Sequence, residues 1–203
     1  MKIIAIGRNY VAHIEELKNE RPTEPVVFTK PDTALLRNNE PFYFPEYSQN
    51  IHHEVEIVLK IAKPGKYIEE AFALDYVQEI GLGIDFTARD IQSKAKEKGL
   101  PWAIAKGFNG SAPVSDFIPK TEFADIKKLD FRLEVNGETK QKGNTERMIF
   151  GYEYMISYIS KFFTLKTGDL IFTGTPAGVG PIQIGDRLVG FIEDREMFNF
   201  EVK

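Results

Sequence analysis

The sequence predicts an α+β fold built mainly from antiparallel or mixed sheets, with a few short helices. Segments of strand type outnumber those of helix type, and the two are not regularly interleaved as a parallel βαβ sheet would require. The clearest strand covers residues 54–61, where apolar residues at every second position predict a half-buried strand.

The bulk composition is that of an ordinary globular protein. The chain has 203 residues, 42% hydrophobic and 28% charged, so it can bury a full-sized core, and we expect one domain over residues 1–203. The net charge of −4 without a dense Lys/Arg cluster argues against a nucleic-acid partner. The absence of cysteine excludes a disulfide framework, a thiolate zinc site and a cysteine nucleophile, so a metal would need oxygen or imidazole ligands.

No segment of the sequence has the pattern of a membrane or secretion signal. The apolar run near the N-terminus is too short for a signal peptide, and no later run approaches about 18 apolar residues. We therefore expect a cytoplasmic protein without a membrane partner.

The first half of the chain is predicted to alternate short strands with brief helices. Five prolines argue against helix between Arg21 and Pro45, and Gly81 and Gly83 suggest that another group closely approaches the strand that contains them. The predicted elements are a strand at 2–6, a helix at 10–20, brief strands at 26–28 and 42–44, the strand at 54–61, a short helix at 68–74 and a central strand at 76–86.

Turn and cap signals organise the second half. Thr87, three residues before Asp90, is predicted to cap a helix that runs to Gly99. Asn136-Gly137 predicts a type I′ hairpin after the strand at 131–135, and residues 151–163 an aromatic-rich helix. Two Gly-Asp turns, at 168–169 and 185–186, each lead into an apolar strand.

Three carboxylates form the main candidate site. Glu54 and Glu56 lie two apart on one strand, so their side chains share a face, and Asp85 lies at the end of the strand at 76–86, just before the helix that starts at Thr87. A solvated polar face is the plain alternative for the glutamates, and helix capping for Asp85. If the three converge, a hard dication such as Mg²⁺ or Mn²⁺ would neutralise most of their repulsion.

Several other polar residues are candidates with equally plain alternatives. His13 and Glu16 share a helix face and could activate water, or be a surface pair. His52 could join the carboxylates or be structural. Lys106, in an apolar setting, could bind an anionic substrate or end a short surface strand. The loop at 174–181 is no phosphate loop, so we expect an anion-contacting loop or a tight turn.

Five segments in sequence order resemble the fumarylacetoacetate hydrolase family, most closely its short acylpyruvase branch, also described as fumarylpyruvate hydrolase-like. They are GRNYVAHIEEL (7–17), HHEVEIVL (52–59), GIDFTARDIQ (83–92), GLPWAIAKGFNGSAPVS (99–115) and TGTPAGVGP (173–181). The resemblance implies a mixed β-roll of twisted, largely antiparallel sheets and a homodimer.

The resemblance also assigns roles residue by residue. It implies metal ligands at Glu54, Glu56 and Asp85. It implies a catalytic His13–Glu16 dyad on a lid helix at residues 8–20, and a catalytic, substrate-contacting Lys106. The further substrate-binding positions that it implies are Arg8, Arg89, Gln92 and Thr175.

The function that the resemblance implies is metal-dependent hydrolysis of the C–C bond of an acylpyruvate, releasing pyruvate and a carboxylic acid. The substrate would be a small 2-oxo or β-keto acid and the cofactor Mg²⁺, with Mn²⁺ or Ca²⁺ as alternatives. The alternative reactions are oxaloacetate decarboxylation or tautomerisation and isomerisation of 2-hydroxyhepta-2,4-diene-1,7-dioate. A non-catalytic keto-acid binding protein is the alternative from another functional class.

Overall fold

The structure is a computed structural model that describes residues 1–16 and 20–203. The strands are β1 (Ile3–Gly7), β2 (Val26–Lys30), β3 (Leu35–Leu36), β4 (Ile51–His53), β5 (Val55–Ile61), β6 (Val77–Ile84), β7 (Thr87–Ala88), β8 (Ala112–Pro113), β9 (Ile118–Pro119), β10 (Asp130–Val135), β11 (Glu138–Asn144), β12 (Leu170–Phe172), β13 (Gly180–Pro181), β14 (Arg187–Ile192) and β15 (Arg195–Glu201). The α-helices are α1 (Val11–Glu16), α2 (Arg89–Glu97), α3 (Ala103–Lys106) and α4 (Tyr152–Phe162). Short 3₁₀ segments cover Asp32–Ala34, Glu70–Tyr76, Lys120–Glu122, Ile126–Lys128 and Thr145–Arg147.

A six-stranded sheet in the order β2-β1-β12-β5-β6-β9 forms the centre of the fold. Its pairs are antiparallel except β1 with β12, which run parallel. Successive residues of β5 enter different apolar clusters, Ile57 one and Val58 the other, so both faces of the strand are buried. The strand is therefore confirmed, but the prediction that one of its faces is exposed is wrong. The alternating pattern identifies a strand, but it does not show which segments pack against its two faces.

The glycines of β6 are approached as closely as the sequence predicted. A Cβ atom placed on Gly83 would lie 2.8 Å from the Phe172 ring and 2.9 Å from a Val58 methyl group. A Cβ atom on Gly81 would lie 3.0 Å from the Phe117 ring. The absence of side chains at these two positions therefore lets aromatic rings pack directly on the strand backbone.

A second sheet, in the order β11-β10-β14-β15, is entirely antiparallel. Its first hairpin turns at Asn136 and Gly137, whose φ angles of 54° and 80° confirm the predicted type I′ geometry. One face of β10 and β14 is buried and the other is partly exposed. Leu133, Leu188 and Ile192 on the buried side belong to the same core cluster as the central sheet.

Two small sheets position the loops around the candidate site. In one, β4 pairs with both β13 and β7, so that His53 lies opposite Gly180 and His52 opposite Thr87. In the other, β3 and β8 pair in parallel. The first of these sheets therefore joins the segment before β5, the segment after β6 and the glycine-rich loop at 174–181.

The helices differ from the prediction in length and capping. Helix α1 is described only over Val11–Glu16, and the end of the predicted 10–20 helix falls partly on residues 17–19, outside the described residues. Helix α2 begins at Arg89 without a side-chain cap, so the predicted Thr87 cap is wrong. The Thr87 hydroxyl instead donates to the Asp85 carbonyl at 3.1 Å and accepts from Lys106 at 2.6 Å. The aromatic-rich helix is confirmed as α4.

Two short predicted elements change type in the structure. The predicted strand at 42–44 is reduced to an isolated bridge between Phe42 and Val202, and the helix predicted at 68–74 is the 3₁₀ segment Glu70–Tyr76.

None of the helices in residues 1–16 and 20–203 has the length and apolar character needed to cross a membrane. The α+β class with mostly antiparallel pairing is confirmed.

Candidate active site

One cleft gathers nine of the ten residues to which the sequence assigned a site role, and the tenth, Glu16, contacts the cleft residue His13. Its polar lining residues are Arg8, His13, Glu54, Glu56, Asp85, Arg89, Gln92, Lys96, Lys106 and Thr175. Ile6, Gly7, Phe28 and Trp102 complete the wall.

The three carboxylates converge because β5 and β6 are neighbours. Val55 pairs with Ile84, and the amide N–H of Asp85 donates to the carbonyl of Glu54 at 2.8 Å. The candidate ligand atoms of Glu54, Glu56 and Asp85 all lie within 4.8 Å of one another, and all three residues are at least 95% buried. The solvated-face alternative for the glutamates is therefore wrong.

Buried cations neutralise two of these carboxylates. Lys106 on α3 contacts Glu54 at 2.8 Å and Asp85 at 2.5 Å, and Arg89 pairs with the other oxygen of Glu54. Burial alone would raise the pKa of Glu54, but Lys106 and Arg89 outweigh it and hold that pKa well below its usual value. The third cation is Lys30, whose Nζ lies 2.7 Å from the second oxygen of Asp85.

Lys106 uses all three of its N–H donors inside the protein. They go to Glu54, to Asp85 and to the Thr87 hydroxyl. The side chain is buried on a short helix, so the alternative of a surface lysine ending a strand is wrong. In this arrangement Lys106 holds the carboxylates together, and contact with a substrate would require it to exchange one of these partners.

Glu56 has no cationic partner among the described residues. Its carboxylate accepts a hydrogen bond from the Gly174 amide at 2.7 Å. Burial and the nearby charge of Asp85 raise its pKa well above the ordinary value, which marks an uncompensated anionic position. A divalent cation bound by Glu56, Glu54 and Asp85 would remove that cost, and three oxygen ligands without sulfur fit Mg²⁺ or Mn²⁺.

His13 and Glu16 form a loose pair on α1. The His13 Nδ1 atom lies 3.5 Å from a Glu16 oxygen, and His13 is buried whereas Glu16 is partly exposed. Burial lowers the pKa of His13 below 6.5, and the neighbouring carboxylates of Glu54 and Glu16 offset this only in part. The imidazole is therefore neutral at pH 7 and able to accept a proton.

The glycine-rich loop contacts anions, but these are the protein's own carboxylates. Its Gly174 amide donates to Glu56, and its Gly178 amide donates to Glu16 at 3.1 Å and 3.2 Å. Gly174 has a φ angle of +102°, and a Cβ atom there would lie 2.6 Å from the Cβ of Asn9. The loop thus links a carboxylate at the base of the cleft to the dyad on α1.

Thr175, which follows Gly174, is part of a buried hydrogen-bond network. Its hydroxyl donates to the Val55 carbonyl at 2.9 Å and accepts from Gln141 at 2.8 Å. The Gln141 carbonyl oxygen accepts from the Val55 amide and bonds His53 Nδ1 at 2.8 Å. This network ties the glycine-rich loop to the start of β5, next to the two glutamates.

Helix α2 contributes one stripe to the cleft. Arg89 donates to the buried Gln92 at 2.7 Å as well as pairing with Glu54.

Arg8 enters from the end of β1 with a φ angle of 59°, an uncommon conformation for a residue other than glycine. His52 is not part of the carboxylate group, and its Nε2 bonds Asn50 at 3.0 Å, which supports the structural alternative.

Comparison with known proteins establishes the family. The profile of the family described as "Fumarylacetoacetate (FAA) hydrolase C-terminal" matches residues 2–203. This chain belongs to the fumarylacetoacetate hydrolase family. A relative from Mus musculus, named oxaloacetate tautomerase FAHD1, mitochondrial, is 47% identical, with 99% of this chain and 91% of the relative covered. A relative from Dictyostelium discoideum, named oxaloacetate decarboxylase, mitochondrial, is 48% identical, with 91% of this chain and 85% of the relative covered.

A solved structure of the same family supports the fold. It is fumarylpyruvate hydrolase from Pseudomonas aeruginosa in complex with Mn²⁺ and pyruvate, with a TM-score of 0.94 and 34% sequence identity. The superposition covers 100% of this chain and 89% of that one. The fumarylacetoacetate hydrolase family resemblance read from the five sequence segments is confirmed.

Three buried residues that support this family site were missed in the sequence. Lys30 ends an apolar strand, and its position there is the only feature of the sequence that indicates a buried charge. Gln141 lies in a polar strand, where nothing in the sequence distinguishes it from its exposed neighbours. Asn9 lies inside the segment GRNYVAHIEEL and could have been singled out there. Its side chain donates to the carbonyl groups of Phe150 and Thr173, at 3.1 Å and 2.8 Å, which fixes the entry to α1.

Proposed function

We propose that this chain is a metal-dependent enzyme that interconverts the enol and keto forms of oxaloacetate, or a closely related 2-oxo acid, and can also decarboxylate it. The observation that carries the proposal is the convergence of three buried carboxylates in a cleft that also contains a neutral histidine. The names of the relatives from Mus musculus and Dictyostelium discoideum support this reaction over the acylpyruvate hydrolysis expected first.

The metal would be held by Glu54, Glu56 and Asp85, because their oxygen atoms converge and Glu56 pairs with no cation among residues 1–16 and 20–203. A bound divalent ion supplies Lewis acidity, which stabilises negative charge that develops on the 2-oxo oxygen of a chelating substrate. We propose Mg²⁺ as the natural ion. Mn²⁺, which the Pseudomonas aeruginosa enzyme holds, and Ca²⁺ are the alternatives.

His13 is proposed to move the proton. In tautomerisation a proton leaves the enol hydroxyl and another is added at C3, and a neutral imidazole can accept one and return one. Glu16 lies beside Nδ1, so it would favour the tautomer with a proton there and leave Nε2 as the base. Glu16 itself is held by the Gly178 amide, which keeps the dyad next to the loop that carries Thr175.

Decarboxylation would use the same arrangement. The bond between C3 and the distal carboxylate breaks, CO₂ leaves, and its bonding electrons pass to the 2-oxo oxygen as an enolate. A proton from solvent water, relayed through the neutral imidazole of His13, would then be added at C3 to give pyruvate. The cations Lys106, Lys30 and Arg89 keep the carboxylate group assembled while charge builds up in the cleft.

Acylpyruvate hydrolysis is kept as the second candidate, because the Pseudomonas aeruginosa structure is a fumarylpyruvate hydrolase with pyruvate bound. In that reaction His13 would deprotonate a water molecule that attacks the distal carbonyl. Isomerisation of 2-hydroxyhepta-2,4-diene-1,7-dioate remains a further alternative. A binding protein without catalysis is disfavoured, because it would not need the His13–Glu16 pair.

The test compares three readouts on the purified protein with Mg²⁺ or with EDTA. Enol absorbance decay and pyruvate release are followed with oxaloacetate, and pyruvate release is followed with acetylpyruvate. Faster enol decay that requires both Mg²⁺ and His13, shown with His13→Ala against Val11→Ala on the same helix, is the expected result. Metal-dependent pyruvate release from acetylpyruvate, without any acceleration of enol decay, would replace the proposal with the hydrolase.

We also propose a homodimer and a cytoplasmic location. Size-exclusion chromatography with light scattering tests the dimer, and a monomer at micromolar concentration would contradict it. The location stays a prediction, since the two curated relatives compared above are both named as mitochondrial.

A further inference from the structure

Two cations in the cleft, Lys96 and Arg8, have no carboxylate partner in the part of the chain that the structure describes. Neither the Lys96 nor the Arg8 side chain forms an ion pair or hydrogen bond with any of residues 1–16 and 20–203, although both line the cleft. The other cleft cations, Arg89 and Lys106, are paired with Glu54 and Asp85. Unpaired cations inside a binding cleft are the usual means of attracting an anionic group of a ligand.

The helix geometry aims Lys96 at the cleft. Arg89, Gln92 and Lys96 follow one another at spacings of three and four, so they lie on one stripe of α2. All three line the cleft, whereas Lys94 on the same helix does not. The ammonium of Lys96 lies 5.5 Å from the centre of the Trp102 ring, which forms part of the same wall.

The charges in the cleft also leave room for a second anion. The buried ion cluster has three cations, Lys30, Arg89 and Lys106, and the same number of carboxylates. Adding a divalent ion and the unpaired Arg8 and Lys96 leaves the cleft strongly positive. Partial burial and the nearby charges of Arg89 and Arg8 lower the pKa of Lys96, so an anion placed beside it would relieve this repulsion.

We infer that Lys96, with Arg8, binds the second carboxylate of a dicarboxylic 2-oxo acid and so selects diacids over monoacids. The inference rests on the proposed function, because it assumes that the 2-oxo acid end of the substrate lies at the carboxylate group. The Lys96 side chain is partly exposed to solvent, as expected for a group that meets the distal end of a substrate at the mouth of the cleft. Its role is in binding and specificity, separate from the proton transfer assigned to His13.

Oxaloacetate and pyruvate form the matched ligand pair, since they differ by the distal carboxylate alone. The chain has a single tryptophan, Trp102, in the cleft wall, so its fluorescence reports binding in stopped flow before decarboxylation proceeds. Both ligands are titrated in the presence of Mg²⁺, and the KM for oxaloacetate is measured in parallel. The variants are Lys96→Gln, the charge-conserving Lys96→Arg, and Lys94→Gln as the control.

For Lys96→Gln we expect oxaloacetate affinity to fall about tenfold and the KM for oxaloacetate to rise by a similar factor, the size of one lost charge-assisted hydrogen bond. Pyruvate affinity and kcat should stay within about twofold, Lys96→Arg should retain most of the affinity, and Lys94→Gln should behave as the parent. The inference would be overturned if Lys96→Gln weakened the binding of oxaloacetate and pyruvate equally, or the binding of neither.

The two proposals can fail separately. Turnover of oxaloacetate with an unchanged diacid preference in Lys96→Gln would leave the reaction standing and remove the second-carboxylate site. Diacid binding that depends on Lys96, in a protein that neither tautomerises nor decarboxylates oxaloacetate, would do the reverse. An absence of any Mg²⁺-dependent oxaloacetate binding would overturn both.

Discussion

Replacement of Lys30 by methionine tests the ion cluster under the site. The Lys30 side chain is fully buried, pairs with Asp85 at 2.7 Å, and donates to the carbonyl groups of Lys106 and Ser111 at 2.5 Å and 2.8 Å. Methionine has a similar length and shape but no charge, so the change removes these interactions with little loss of packing. The consequence is an aspartate that has lost one of its two cations in a buried position.

The magnitude follows from the partners that remain. Removing one member of a buried ion pair costs about 3–5 kcal/mol when its partner charge is left alone. Asp85 keeps Lys106 at 2.5 Å, the Lys106 carbonyl keeps the Ser111 hydroxyl, and the Ser111 carbonyl keeps the Phe86 amide. We therefore expect the lower end, a loss of about 3 kcal/mol in the free energy of unfolding.

Urea unfolding in EDTA and in saturating Mg²⁺ measures the effect. Because Lys30 and a divalent ion would both neutralise Asp85, Mg²⁺ should stabilise Lys30→Met more than the parent. The control is Lys60→Met, which removes a surface pair with Glu79 and should cost less than about 1 kcal/mol. A Lys30→Met loss below about 1 kcal/mol in EDTA would refute the cluster argument, and an equal loss with and without Mg²⁺ would refute its link to metal binding.

Three further predictions concern the loop, the ligands and the dyad. Gly174→Ala should lower the free energy of unfolding by about 3 kcal/mol, because the new side chain meets both a positive φ angle and a close contact. Gly185→Ala is the control and should cost less, because its φ of +95° is similarly strained but its Cβ would meet open space. Equal losses for the two variants in thermal unfolding would contradict this. Glu56→Gln should weaken Mg²⁺ binding about tenfold or more, measured by calorimetry. The metal-free variant should be at least as stable as the parent, because a buried, unpaired charge is removed. Unchanged Mg²⁺ affinity would remove Glu56 from the ligand set. Because burial lowers the pKa of His13, the acid limb of the pH–rate profile should lie below pH 6.5. Glu16→Gln should move this limb to still lower pH, because it removes a charge that raises the pKa of His13. An acid limb at or above pH 6.5 would contradict the assignment of His13 as the base.

Local sequence patterns predicted local structure well. The turn at Asn136 and Gly137, the helix at 151–163 and the alternating strand at 54–61 follow from interactions between near neighbours in the chain, and each is present. The predicted cap by Thr87 failed, because the buried Lys106 ammonium and the Asp85 carbonyl engage its hydroxyl. A capping pattern in sequence cannot reveal a distant competitor for the same side chain.

The ten candidate site residues were found through the match of whole segments to a family, since each single motif had a plain alternative. The structure places nine of them in one cleft, and it shows which groups each residue contacts. Lys106 was expected to contact substrate but uses its three donors on the protein, and the glycine-rich loop contacts Glu56 and Glu16. Hydrogen-bond partners depend on distances between segments far apart in the chain, which the sequence does not contain.

The sequence by itself determined the α+β class, the oxygen-only chemistry available to a metal, and the parity that places Glu54 and Glu56 on one face. Those properties depend on composition and on the two-residue period of a strand. Only the tertiary structure decided that this face is buried, that Asp85 joins it through the pairing of β5 with β6, and that Lys30 lies beneath it. Burial and ion pairing are properties of packed neighbours, and Lys30 reaches Asp85 across 54 residues of intervening chain only because the fold brings them together.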